Sequence, residues 1–155
     1  MKSDAPFSLI AYNATTPDII YGAGPDNPNW SELRYAQALT PYLQAEGLPA
    51  HFIIDQGRSG AQNIRLQGGH WCNIKDSGFG TRPTTDTGEC IVDALVWVKP
   101  GGESDGTSDE TASRFDENCR SPDAHVPAPE AGAWFDEFVQ NLVINASPPL
   151  EPTYE

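Results

Sequence analysis

Short apolar runs along the chain predict three strands, which are separated by polar and helical segments. Residues 7–11 (FSLIA) and 51–55 (HFIID) are brief runs of the kind typical of buried strands, and the second ends in an acid. Residues 90–98 (CIVDALVWV) form a longer run that predicts a strand at its end. Trp97 in this run and Trp134 further on both have apolar neighbours, so we interpret both as core residues.

Apolar spacing changes to a helical period in two other segments. After Ser31, apolar residues lie at Leu33, Ala36, Leu39 and Leu43. Ser31 is a suitable N-cap and Gly47 a suitable C′ residue, while Pro41 predicts a kink or an early end. A second helix is predicted over residues 131–145. Its apolar face consists of Trp134, Phe135, Phe138, Leu142 and Val143.

Two long loops, at residues 56–82 and 99–129, each follow a predicted strand and have no regular period. Loops of about 30 residues are unusual in a compact domain and commonly carry function. The order of strands and helices predicts an α/β architecture with parallel strands. In α/β barrels, the loops that follow the strands carry the active site. Both long loops are therefore candidate locations for an active site.

Composition and charge exclude some partners. The chain has 155 residues, 38% of them hydrophobic, which is sufficient for one folded domain. Its net charge of −13 argues against nucleic acid, because phosphate backbones require Lys and Arg clusters. No apolar run approaches the length of about 18 residues that a membrane span needs. A neutral ligand such as a sugar fits an acidic protein, although charge alone does not select it.

The three cysteines, Cys72, Cys90 and Cys119, allow one disulfide and one free thiol. Their spacing does not choose the pair. None forms a CxxC motif and the three histidines lack zinc-ligand spacing, so neither a metal nor a cofactor is predicted. The first residues, MKSDAPFSLIAYN, do not form a signal peptide, which taken alone predicts a cytosolic chain. Sequons at Asn13 and Asn145 favour secretion, but only weakly.

Carboxylates cluster after the third apolar run, in WVKPGGESDGTSDE (97–110). Asp105 in this segment has three interpretations: a catalytic carboxylate, a solvated loop acid, or part of a calcium site. The alternating ligand positions of a calcium loop are absent, which weakens the third. The local residues favour the solvated acid over the catalytic one.

Three other polar-loop residues, and one histidine, have comparable alternatives. Arg58, in DQGRSG, either pairs with a carboxylate or is solvated, and the same holds for Lys99. Trp71, in GGHWCN, either stacks on a sugar ring or packs against the core. We interpret His70 as a hydrogen-bonding loop residue rather than a base.

Six segments together resemble glycoside hydrolase family 6, specifically the C-terminal part of its fungal cellobiohydrolases. They are DQGRSG (55–60), HWCN (70–73), GFGTRPTTDTG (78–88), WVKPGGESDGTSD (97–109), RFD (114–116) and PAPEAGAWF (127–135). The resemblance assigns residues 8–150 to the catalytic domain, with 1–7 as an unmatched extension and 151–155 as a tail. It implies a distorted (β/α) barrel, of which this chain is the C-terminal portion. It also implies cofactor-free, inverting hydrolysis of β-1,4-glucosidic bonds in cellulose.

The resemblance further implies roles for individual residues. Asp105 matches a carboxylate proposed as the catalytic base or as its electrostatic support. Arg58 and Lys99 match the basic residues beside that carboxylate. Two nearby cations favour the ionised form of a carboxylate. Lys99 and Glu103 match residues that hydrogen-bond glucose hydroxyls, and Trp71 matches a sugar-stacking platform.

The resemblance also bears on disulfide pairing, location and completeness of the site. It pairs Cys72 with Cys119, which leaves Cys90 as a free, partly buried thiol. It implies an extracellular protein acting on cellulose or cello-oligosaccharide. The family's general acid lies in the N-terminal half of the domain, which this sequence does not match, so we expect the isolated chain to be inactive. The alternative is a glucan-binding remnant, or a half-domain that depends on a partner segment.

Overall fold

The computed structural model describes residues 8–9, 31–61, 64–67 and 69–152. Its elements in chain order are β1 (Ser8–Leu9), α1 (Glu32–Ala45), β2 (Phe52–Asp55), β3 (Val92–Val96), a short 3-10 helix (Glu117–Arg120) and α2 (Asp136–Ile144). Residues 1–7 and 10–30 lie outside the described residues, and these include most of the first predicted strand.

The three strands form one sheet in the order β1, β2, β3, and they are parallel, as the sequence predicted. Phe52 lies opposite both Ser8 and Val92, so β2 is the central strand. Parallel strands present their carboxyl ends at one edge of the sheet. The two long loops after β2 and β3 therefore begin side by side.

Helix α1 begins and ends as its capping residues predict. The Ser31 hydroxyl accepts a hydrogen bond from the Arg34 N–H at 3.3 Å, and Gly47 follows the helix with a φ of +69°. The early end at Pro41 is wrong, because the helix continues to Ala45. Proline removes the N–H that would bond the carbonyl of Gln37, and Gln37 is exposed, so water can satisfy that carbonyl.

Two apolar clusters stabilise the described part of the chain. The first lies between α1 and the sheet and comprises Ala36, Ala50 and Phe52, with Leu39, Leu43 and Ile91 against it. The second lies beneath the long loops and comprises Ala128, Phe135, Phe138 and Leu142, with Phe79 against it. Phe138 and Leu142 are fully buried. The long loops therefore pack against a close-packed apolar cluster.

The apolar face predicted for the last helix is only partly correct. Phe135, Phe138 and Leu142 are buried, whereas Trp134 is 66% exposed and Val143 is 47% exposed. The prediction of Trp134 as a core residue is wrong because α2 begins two residues later, so the helical period does not apply to it. Its indole lies over Gly102, where any side chain would collide with the ring.

Trp97 and Cys90 are both less buried than expected. Trp97 is half-buried, with its ring stacked on Phe79 at 4.7 Å between centroids. Its Nε1 donates to the Thr81 carbonyl at 2.8 Å, so it packs at the margin of the core rather than within it. Cys90 is free, but it is exposed rather than partly buried, because it lies in the turn before β3.

Candidate active site

Asp55, the last residue of β2, ties together the starts of the two long loops. One carboxylate oxygen accepts the Gly57 N–H at 2.8 Å, and the other accepts the Lys99 N–H at 3.0 Å. Asp55 is itself buried. A single carboxylate thus bonds the backbone of both long loops, and it brings Arg58 and Lys99 to the same edge of the sheet.

Arg58 is only 1% exposed and organises the loop after β3. Its Nη1 donates to Asp105 Oδ2 at 2.8 Å, and its Nη2 donates to the carbonyls of Gly101 and Glu103. The guanidinium lies 4.6 Å from the ring centroid of Phe138, at the floor of the site. Burial lowers the pKa of Arg58, and the adjacent Asp105 carboxylate opposes that effect. Arg58 is therefore a structural cation and not a solvated one.

Asp105 lies between two cations. Lys99 Nζ is 3.1 Å from Asp105 Oδ1 and 4.0 Å from Glu103 Oε2. The Asp105 side chain is 6% exposed, whereas those of Lys99 and Glu103 are 21% and 37% exposed. The cluster thus has a buried half, Arg58 and Asp105, and an accessible half that a ligand can reach.

Trp71 lies in the long loop that follows β2. Its side chain is 42% exposed, so it is not a core residue. Two residues later, the Asn73 N–H donates to Asp105 Oδ2 at 2.9 Å, which anchors the Trp71 segment to the carboxylate. The structure therefore brings together the segments of Arg58, Trp71, Lys99 and Asp105, which are far apart in sequence.

Cys72 and Cys119 form a disulfide, as the family resemblance implied. Both residues are buried. A Cβ added at Gly106 would lie 2.6 Å from Cys119 Sγ, so only glycine fits between the disulfide and the backbone there. Since Gly106 follows Asp105, the disulfide packs directly against the loop after β3 (residues 99–129), which is the acidic loop.

We expect loss of this disulfide to destabilise the chain substantially. The two cysteines are 47 residues apart, and closing a loop of that size contributes about 4 kcal/mol in the chain-entropy model. The measurement is urea unfolding of a Cys72→Ser/Cys119→Ser variant, with Cys90→Ser included to prevent thiol exchange. Cys90→Ser alone is the control and should be nearly neutral because that thiol is exposed. A loss below about 1 kcal/mol would contradict the expectation.

A buried acid, Asp123, supports the segment that precedes Trp71, and sequence reasoning missed it. Asp123 is 1% exposed, and its Oδ2 accepts the Leu66 N–H at 2.7 Å. His70 Nδ1 lies 2.6 Å from Asp123 Oδ1, although the two atoms are not aligned as a hydrogen bond. Burial raises the pKa of Asp123, but hydrogen bonds from Leu66 and Ser121 outweigh burial and lower it overall. Nothing in the turn-like sequence SPDAH indicated this role.

The lowered pKa of Asp123 predicts a pH-dependent contribution to stability. A carboxyl with a depressed folded-state pKa stabilises the fold above its unfolded value of about 3.9, and this stabilisation is lost as pH falls through the folded-state pKa. We expect Asp123→Asn to cost roughly 1–3 kcal/mol at pH 7, with the difference from wild type shrinking toward pH 3 and below. Urea unfolding at several pH values measures this. The exposed Asp86→Asn is the control, and a pH-independent difference would contradict the expectation.

Among the residues that the structure describes, no group of three or more His, Cys, Asp or Glu side chains is arranged to hold a metal ion. Within the same residues, no helix is both long and apolar enough to cross a membrane.

Comparison with known proteins decides the family. The family model described as Glycosyl hydrolases family 6 matches residues 8–146. The chain belongs to this family. The resemblance expected from the sequence motifs is therefore confirmed, and the Arg58–Asp105–Lys99 cluster lies within the matched region.

Three relatives show how much of a family 6 protein this chain represents. Exoglucanase 3 from Agaricus bisporus is 55% identical over 146 residues, which are 91% of this chain and 33% of that protein. The solved structure of CcCel6C, a family 6 enzyme from Coprinopsis cinerea, has 60% identity and a TM-score of 0.83, covering 93% of this chain and 41% of that one. Cellobiohydrolase II (Cel6A) from Humicola insolens, solved in complex with glucose and cellotetraose, has 51% identity and a TM-score of 0.78, covering 90% and 38%. The chain thus spans about a third of the length of the curated relative.

Proposed function

We propose that this chain supplies one side of the active site of an inverting β-1,4-glucan hydrolase of the cellobiohydrolase type. The observation that carries the proposal is the cluster at the sheet edge, where Asp105 is held between Arg58 and Lys99. Inverting glycosidases use two carboxyl groups about 6.5–9.5 Å apart, one that activates water and one that protonates the leaving group. In our proposal, Asp105 belongs to the water side of that pair.

The accessibility of each side chain suggests its role toward the sugar. Asp105 orients the attacking water and stabilises the positive charge that develops in the oxocarbenium-like transition state. Arg58 is too deeply buried to reach a substrate, so it acts by holding Asp105. Lys99 and Glu103 have partly exposed side chains, so they can hydrogen-bond glucose hydroxyls. Trp71 offers its exposed indole face to the apolar side of a glucose ring.

We also propose that the general acid comes from the part of the family domain that this sequence does not match. On this view β1, β2 and β3 are strands of a distorted (β/α) barrel, and residues 8–150 form the C-terminal part of the catalytic domain. A short parallel sheet with both long loops at one edge supports this, since barrel closure pairs the edges that an open sheet leaves. The substrate is cellulose or cello-oligosaccharide, and the protein acts outside the cell.

The proposal is tested in a hybrid enzyme and in the chain alone. In the hybrid, residues 8–150 replace the matching segment of the Coprinopsis cinerea family 6 enzyme. We expect the hybrid to release cellobiose from cellohexaose, and the chain alone to bind cellohexaose in calorimetry without releasing product. A folded but inactive hybrid would refute the active-site proposal. Robust cellobiose release by the chain alone would refute the placement of the general acid elsewhere.

Trp71→Ala should weaken binding of cellohexaose by the chain at least about fivefold. Removing an aromatic anchor from a binding site commonly costs more than about 1 kcal/mol, which corresponds to that ratio. Calorimetry measures the change in Kd. The control is Tyr42→Ala, which removes a 73% exposed aromatic from α1 and should leave the Kd unchanged. Equal Kd values for the Trp71 and Tyr42 variants would remove the sugar-stacking role.

A further inference from the structure

Asn73 is fully buried, and its side chain bonds three consecutive residues of the acidic loop. Its Oδ1 accepts the Asp105 N–H at 2.8 Å. Its Nδ2 donates to the Gly106 carbonyl at 2.9 Å and to Ser104 Oγ at 3.2 Å. One amide group thus bonds the Ser104 hydroxyl and the backbone of Asp105 and Gly106.

The backbone of Asn73 makes a second link to the same residue. Its φ of +43° lies in the left-handed region, which asparagine adopts more readily than most residues that carry a side chain. In this conformation the Asn73 N–H donates to Asp105 Oδ2 at 2.9 Å. Asn73 and Asp105 therefore hold each other by two hydrogen bonds in opposite directions, each from one main chain to the other side chain.

The hydrogen-bond pattern requires a side-chain amide at residue 73. An amide supplies an acceptor for the Asp105 N–H and two donors for the Gly106 and Ser104 oxygens. Aspartate would lose both donors and place a second negative charge beside Asp105. Glycine would keep the left-handed backbone and its N–H but lose every side-chain bond.

The surroundings of Asn73 fix its own position. The preceding residue, Cys72, is bonded to Cys119, and the Asn73 carbonyl accepts the His125 N–H at 2.8 Å. Gly106 packs against the same disulfide. Both sides of the Asn73–Asp105 contact are thus attached to one rigid unit.

We propose that Asn73 is a positioning residue that sets the direction of the Asp105 carboxylate. Asp105 Oδ2 receives hydrogen bonds from Arg58 Nη1 and from the Asn73 N–H. These contacts leave Oδ1, which faces Lys99 Nζ at 3.1 Å, as the oxygen directed toward the accessible half of the site. The catalytic meaning of this orientation rests on the function proposed above, in which Asp105 orients the attacking water.

The test is site-resolved amide hydrogen exchange in the full 155-residue chain. Asn73→Gly keeps the left-handed backbone and removes only the side-chain bonds. We expect exchange of the Asp105 N–H to accelerate at least tenfold, while the Phe135 N–H, which bonds the Gly102 carbonyl in the same loop region, keeps its protection. Asp76→Gly is the matched control, because Asp76 also has a positive φ, of +63°, but is exposed.

Two outcomes of the exchange experiment would overturn the proposal. One is unchanged exchange at the Asp105 N–H in Asn73→Gly. The other is equal acceleration at Asp105 and Phe135, which indicates general loosening of the fold rather than lost positioning. A measurement on the unsubstituted chain serves if the variant does not fold: a scalar coupling across the hydrogen bond, from the Asp105 nitrogen to the Asn73 side-chain carbonyl carbon. Its absence would also overturn the proposal.

The test of the positioning role of Asn73 is separable from the test of the proposed hydrolase function. Neither hydrogen exchange nor the scalar coupling involves a sugar, so both test the positioning role even where no hydrolysis occurs. Where the hybrid is active, Asn73→Gly should lower kcat at least tenfold with KM changed less than twofold, because misdirection of the carboxylate affects the transition state more than the bound substrate. An inactive hybrid together with accelerated exchange at Asp105 would reject the proposed function and retain the positioning role.

Discussion

Asp105→Asn in the hybrid enzyme is expected to reduce cellobiose release from cellohexaose by about a hundredfold or more. Removing a preorganised group that stabilises transition-state charge typically costs about 10²–10³ in kcat. Asparagine keeps the shape of the side chain and an oxygen for the Asn73 N–H and for Arg58. The loss is therefore attributable to the missing charge. Steady-state release of cellobiose measures it.

The choice of asparagine matters because alanine would disturb the fold. The structure makes Asp105 the partner of the buried Arg58, and alanine would leave Arg58 Nη1 and the Asn73 N–H without their acceptor. Removing one member of a buried ion pair commonly costs about 3–5 kcal/mol. Asp109→Asn is the matched control, since Asp109 is exposed, lies in the same loop and bonds Thr111 instead. Activity of Asp105→Asn above half that of the Asp109 variant would contradict the assignment.

Arg58→Met is expected to lower the free energy of unfolding of the chain by about 3–5 kcal/mol. Methionine fills much of the same space but leaves the Asp105 carboxylate, which is 6% exposed, without its buried cation. It also removes the donor shared by the carbonyls of Gly101 and Glu103. Urea unfolding with linear extrapolation measures the change.

The matched control is Arg114→Met. Arg114 pairs with Glu130 at 3.0 Å, but their side chains are 65% and 47% exposed, and such surface pairs contribute about 0–1 kcal/mol. Arg58→Lys should fall between the two, because an ammonium group keeps the charge but not the planar, forked geometry. Similar losses in the Arg58 and Arg114 variants would show that the buried pair does not organise the loop.

Burial of the cluster also clarifies what each member can do. Arg58 and Asp105 are enclosed, so their strong contacts serve to fix one carboxylate in place, whereas Lys99 and Glu103 remain accessible. Preorganised charge of this kind stabilises a transition state without reorganisation at the moment of reaction. The same arrangement explains why a mutation at Asp105 affects stability and activity together.

Much of the fold was predictable from local patterns. Apolar runs located β2 and β3, and capping chemistry located both ends of α1. Where local patterns misled, the cause is identifiable. Trp134 was placed in a helical face that begins only at Asp136, and Pro41 was tolerated inside α1 because the adjacent turn is exposed.

The sequence by itself determined the order of the elements, the parallel α/β class and, through its long ordered motifs, membership of family 6. It did not determine which loop residues are buried, because loop residues have no period that reports burial. Arg58 and Asp105 are 47 residues apart, and Asn73 and Asp105 are 32 apart. Only the tertiary structure brings these side chains to one edge of the sheet. There, exclusion of water turns what local composition suggested was a solvated acid into a carboxylate held by three neighbouring groups: the side chains of Arg58 and Lys99 and the backbone N–H of Asn73.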